Sequence, residues 1–191
     1  MFHTVQWGMA PSQARERLLT AAVEQALQGG IIGQSLRQIA AAVGTSHRML
    51  LYHFGSREGL LLAISNAINE TVAGTLDRWA EPRELFRHFA DPEAWPWLRL
   101  FFELYVHALF GGPGSADFFD ASVHRWIDGL AGELVKRGAD GATARIQARL
   151  QLAVARGLLL DLVATQELEE VNQAYEYYLQ RAGRPAGQPP S

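Results

Sequence analysis

Thr45, Ser46, His47 and Arg48 place two short hydroxyls, an imidazole and a guanidinium side by side. Such groups donate to phosphate oxygens and reach the exposed edges of bases. Met49, Tyr52 and His53 follow closely, Arg57 stands just beyond them, and Ser35 and Arg37 lie shortly before. Ser35, Arg37, Thr45, Ser46, His47, Arg48, Met49, Tyr52, His53 and Arg57 are therefore the candidate nucleic-acid contacts. For His47, Arg48, Tyr52 and His53 the plainer alternative is a solvated helix face in some other helical protein, and His53 could instead pack or cap locally.

Groups suited to catalysis or metal binding are sparse. The histidines are His3, His47, His53, His88, His107 and His124, without the His-x-x-x-His spacing of a metal site, and there are no cysteines. Gly111-Gly112-Pro113-Gly114-Ser115 lacks the Gly-Lys-Ser/Thr ending of a phosphate loop, and no Gly-x-Ser-x-Gly nucleophile element is present. The chain reads as a non-enzyme with no metal and no cofactor.

The elements that must position the polar set are legible. Leu36, Ile39, Ala40 and Val43 recur at helical spacing. Ser35 followed by Gln38 has the S-x-x-Q pattern of a capping box. Gly44 can end that helix in a left-handed residue, and Thr45 or Ser46 can cap the next, which runs through Met49, Leu50 and Tyr52 to about Phe54. Two helices joined by a short turn containing glycine follow the helix-turn-helix plan, whose second helix enters the DNA major groove. Ser56 can cap a further helix whose first turn carries Arg57.

With these residues the stretch resembles the TetR family of bacterial transcriptional repressors. The family pattern has a Gly-x-Ser turn, a short recognition helix ending in Tyr-x-His-Phe, and a basic residue before a long helix. Gly44 and Ser46 match the turn, His53 and Phe54 match the helix end, and Arg57 takes the basic position. Leu51 occupies the family's Tyr position with the aromatic displaced to Tyr52, while Arg48 and Met49 replace its small Gly and Thr. Those departures fall on residues that would face DNA.

Composition fits one head and one body. Of 191 residues nearly half are hydrophobic, and the formal net charge is -3. Residues 1–60 hold five arginines against three acids, whereas the remainder holds twelve basic residues against seventeen acidic ones. A mildly basic head on an acidic body is the asymmetry expected when only one end meets DNA. No apolar run approaches membrane-spanning length, no signal peptide opens the chain, and the absence of cysteine suits a reducing cytoplasm.

The expected architecture is all-α: a flexible arm over 1–10, a three-helix head with helix-turn-helix over 11–56, a helical regulatory and dimerisation body over 57–182, and a disordered tail over 183–191. The first helix starts near Pro11 or Ser12, and Arg57 to about Ala80 forms the long link. A short helix follows Pro82, an aromatic one starts after Asp91-Pro92-Glu93, and further helices span about 116–137, 142–164 and 167–180.

In the body, Trp95, Trp97, Phe101, Phe102, Tyr105, Phe119 and Trp126 form an aromatic cluster. Each alone is plain core; as a group they suit the wall of a ligand pocket. Leu150, Val154, Leu158, Asp161, Val171, Tyr175 and Tyr178 are the candidate dimer face, from an apolar helix with two faces followed by a 3-4-3 seam. Arg99, Glu103 and His107 make one stripe, either an exposed ladder or pocket polar groups, and Arg156 and Asp161 suit a pocket or an interface. The resemblance implies a homodimeric regulator, usually a repressor, that binds a palindromic operator and is released by a small apolar or aromatic effector. The competing reading is a helical ligand-binding or protein-interaction module with no primary DNA role.

Overall fold

Short-range signals start most of the helices in the computed structural model, which describes residues 11–76, 81–112 and 114–182. Pro11 opens α1 (Pro11–Gly29), where its missing N–H has no intrahelical partner to lose. Ser35 precedes α2 (Leu36–Ala42) in a complete capping box, and Ser46 caps α3 (His47–Phe54). The link helix α4 covers Arg57–Leu76, with the Ser56 hydroxyl accepting from Gly59 N–H at 3.0 Å. Its expected continuation through 77–80 lies outside the described residues, as do the expected arm over 1–10 and tail over 183–191.

The body begins with α5 (Pro82–Ala90) and a 3-10 turn, Pro92–Ala94. Pro96 shifts the aromatic helix forward, so that α6 spans Trp95–Leu109. The single helix expected over 116–137 is instead α7 (Ser115–Phe119), a π-helical turn (Asp120–His124) and α8 (Arg125–Lys136). One inserted residue widens the turn while the apolar stripe resumes beyond it, which is why periodicity alone reads straight through. Asp140 starts α9 (Gly141–Thr165), its carboxylate accepting from Ala142 and Thr143 N–H at 3.1 Å each. The last helix, α10, covers Leu168–Ala182. Every regular element among the described residues is helical.

Three apolar clusters hold these helices. The first joins Ala22, Ile31, Ile39 and Leu50 of the head to Leu60, Ile64 and Ile68 of α4 and to Leu100, Phe101 and Leu104 of α6. The hydrophobic core therefore runs across the expected boundary at Ser56 and Arg57. The second packs Leu85 against Trp126, Ile127, Ala144, Ala148 and Leu152. The third packs Phe86, Leu98, Leu159, Leu162, Val171 and Tyr175. Because α6 contributes to the first and third, one rigid helix touches both the head and the far side of the body.

Candidate nucleic-acid interface and body cavity

The turn between α2 and α3 is closed entirely by local bonds. Thr45 N–H donates to Ala40 C=O at 2.9 Å and Gly44 N–H to Ala41 C=O at 3.3 Å, the paired bonds of a Schellman ending. Gly44 has φ +69°, where a side chain would be strained. Two residues on, the Ser46 hydroxyl accepts from Met49 N–H at 3.2 Å. The backbone is thus fixed before α3 begins.

Leu50 and Phe54 face inward and anchor α3. Arg48, Met49 and Tyr52 face outward, with Tyr52 72% exposed although it is a large aromatic. Arg37, Ser35 and Ser46 are also exposed, while Thr45 and His47 are half-buried. His53 is half-buried too, its ring edge-on to Tyr52 at 4.9 Å and its Nε2 buried without a hydrogen-bond partner. Arg48, Met49 and Tyr52 thus make up the exposed side of α3, whereas His53 belongs mostly to the packing beneath it.

Arg57, expected to reach the DNA backbone, is turned inward. Its Nε donates to Gln34 C=O at 2.8 Å and its guanidinium also bonds Ile32 C=O. The loop from Gly30 to Gln34 leaves carbonyls that no helix satisfies, and a planar guanidinium fork bonds two of them. Glu103 supplies the opposite chemistry to the same loop: its carboxylate accepts from Ile31 N–H at 3.0 and 3.2 Å and from Ile32 N–H at 2.7 Å. It is therefore neither an exposed ladder member nor a pocket group. A Cβ on Gly30, which has φ +73°, would meet that carboxylate at 3.0 Å.

Below this junction lies a cavity of about 90 Å³ between α5, α6, α8, α9 and α10. Trp97, Phe101, Phe102 and Trp126 line it as the aromatic pattern suggests. The remaining predicted residues do not. Trp95 is turned toward α5, its indole N–H donating to Ala90 C=O at 3.0 Å, and Tyr105 packs edge-on against Phe119 at 5.4 Å in the head-side cluster. Sequence reasoning missed Phe86 and Phe89, whose clue was the strongly one-sided short helix α5, and also Gln151. Arg156, left open between pocket and interface, lines the cavity with its guanidinium 5.5 Å from the Phe101 ring centre and 5.4 Å from that of Tyr105. It also donates to Ser122 C=O.

The expected dimer face divides. Val171 and Tyr175 are inside: Tyr175 is 3% exposed, lines the cavity and stacks on Phe86 at 3.8 Å. Leu158, Val154 and Tyr178 are partly buried against the same cluster. Only Leu150, 56% exposed, and Asp161 look outward. The outward stripe of α9 runs through Ile146, Leu150, Ala153, Gly157, Leu160 and Ala164, a 4-3-4-3-4 spacing, with exposed Tyr177 on α10. A helix rotates by about 100° per residue, so an apolar helix with two faces does not reveal which one its own chain covers.

Residues 18–64 match the family model described as bacterial regulatory proteins, tetR family. The chain carries the TetR-family head. Over 85 residues it is 36% identical to the HTH-type transcriptional regulator RutR of Escherichia coli (strain K12), a match covering 44% of this chain. The chain spans only 37% of RutR's length. Whole-chain likeness is structural. A transcriptional regulator from Rhodococcus sp. Rha1 superposes with a TM-score of 0.74 at 20% identity, over 88% of this chain and 95% of that one. The multidrug binding protein EbrR complexed with proflavin gives 0.61 at 22% identity, over 86% and 98%. The all-α head-and-body fold is thus shared with solved regulators over most of the chain. Among the described residues no cluster of three or more His, Asp or Glu could hold a metal ion, and no helix is long and apolar enough to cross a membrane.

Proposed function

We propose that the protein is a TetR-type transcriptional regulator, of the repressor kind, acting on operator DNA in the cytoplasm. The observation that carries this is the exposed set of Arg48, Met49 and Tyr52 on an α3 whose approach is fixed by family-type caps. Side chains at the start of a recognition helix read base edges, and exposed Arg37, Ser35 and Ser46 suit the flanking backbone. One head reads only a few base pairs, so two heads spaced by about 34–36 Å, or a multiple, are required. The stripe through Ile146, Leu150 and Leu160 on α9, with Tyr177 on α10, is the face that would join two copies.

The cavity is the effector site in this reading, and α6 is the transmission. Trp97, Phe101 and Phe102 line the cavity while Glu103, on the next residue, holds the head loop. A ligand that shifts α6 changes how the head sits, and its leverage equals its difference in affinity between the two arrangements. EbrR, with proflavin in its structure, supports a binding body in this fold. A mobility shift with DNA from upstream of the protein's own gene tests the proposal. Retardation lost in the Arg48→Ala, Tyr52→Ala double variant is expected. No retardation of any upstream or genomic fragment by the folded parent would leave the ligand-binding module as the reading.

A further inference from the structure

Arg156 is the one charged residue among the described lining residues of the body cavity. Several other arginines of the body meet a carboxylate: Arg83 and Arg87 meet Glu176, Arg137 meets Glu81, and Arg145 meets Asp128. Arg156 has no carboxylate within ion-pair distance among the described residues. What surrounds it is neutral, namely the Ser122 carbonyl, the Tyr105 hydroxyl and the faces of Phe101 and Tyr105. A guanidinium carries five N–H donors in a planar fork that matches a carboxylate, and withdrawing it from water without a counter-charge is unfavourable. Burial accordingly lowers its pKa, with Tyr105 opposing.

The wall around that cation is aromatic, and no acid lines it. Ser122 adds a second unusual feature. It lies on the π-helical turn, its carbonyl is given to Arg156, and its hydroxyl is buried without a partner. Such turns recur at functional sites because they release a backbone group from the helical ladder. We propose that the cavity takes a small aromatic carboxylate, its ring between Trp97, Phe102 and Trp126 and its anionic head on Arg156. The same arrangement rejects cations. An aromatic cation such as proflavin, the compound bound by EbrR, would meet an uncompensated guanidinium here.

This inference rests on the cavity being the effector site, and the test separates the two ideas. Binding to the unmodified full chain is followed by quenching of tryptophan fluorescence, since Trp97 and Trp126 line the cavity. The probes share one ring system and differ in charge: benzoate, benzamide and benzylammonium, then 2-naphthoate, 2-naphthamide and 2-naphthylmethylammonium. In at least one set the carboxylate should bind about tenfold or more tighter than the amide, and the ammonium weaker than both. Arg156→Met should abolish that preference while leaving amide binding in place, and Arg156→Lys should keep part of it; circular dichroism reports that each variant is folded. If amide and carboxylate bind the parent equally, the charge assignment is wrong and the cavity remains a ligand site. If no probe in either set binds, the effector reading falls together with it.

Discussion

Glu103 and Arg57 hold the same short loop with opposite chemistry, the carboxylate accepting from the Ile31 and Ile32 amides and the guanidinium donating to the Ile32 and Gln34 carbonyls. The two side chains come from α6 and α4, so body and link helix meet on one head segment. Backbone groups in such a loop have no ladder of their own, and an unpaired one in a half-buried place is costly. The joint is therefore a stabilising feature, and under the proposed function it is the route from cavity to head.

Glu103→Ala should lower stability by about 1–3 kcal/mol, the cost of leaving buried amide donors unmet. It should also shrink the effect of a cavity ligand on operator affinity. Urea denaturation and an operator titration with and without 2-naphthoate measure both. Full retention of stability and ligand response would remove the loop from the coupling path.

Arg57 and Arg48 should behave differently although both lie near the DNA face. Arg57→Ala loses charge-assisted bonds to two carbonyls, so its melting temperature should drop while the slope of operator affinity against salt stays close to the parent's. Arg48→Ala should melt normally and either flatten that slope by about one counterion or relax preference at a base pair by roughly 1–3 kcal/mol. A flattened slope in Arg57→Ala with unchanged melting would return Arg57 to the phosphate backbone.

The exposed stripe of α9 should carry the self-association. Leu150→Glu combined with Leu160→Glu places charges on outward positions and should yield folded monomers that no longer retard operator DNA. Light scattering decides, because an unchanged dimer mass would move the interface off this stripe. Tyr175→Glu, by contrast, should disrupt the body itself, since Tyr175 is inside and stacked on Phe86.

Alkaline pH offers a separate check on Tyr175. Burial pushes its hydroxyl from an ordinary 10.0 up to about 12, with the Gln151 hydrogen bond opposing. The folded protein thus holds this proton more tightly than the unfolded chain. Its contribution, about 3 kcal/mol at most, is fully present below pH 10 and lost as pH rises from 10 to about 12. Thermal melts across that window should fall less steeply for Tyr175→Phe than for the parent. Parallel curves would mean that the hydroxyl does not titrate with unfolding.

Ser35, Gly44 and Ser46 were legible without a structure because each acts on a backbone group a few residues away. The caps of α2 and α3 and the glycine turn follow from that short range. So does the aromatic density of α6, since helical spacing places Trp97, Phe101 and Phe102 near one another along its axis.

The sequence by itself therefore determined an all-α chain with a helix-turn-helix head and an aromatic body, because periodicity and capping are local. Only the tertiary structure decided the rotation of each helix and the partners of its charges. Glu103 meets Ile31 across 72 positions of chain, Arg156 meets Ser122 across 34, and Arg57 meets Gln34 across 23. Tyr175 turned inward and Leu150 outward for the same reason. Leu150 lies on a helix with two apolar faces and Tyr175 on the seam of its neighbour, and the choice between core and surface depended on which helix arrived to cover them.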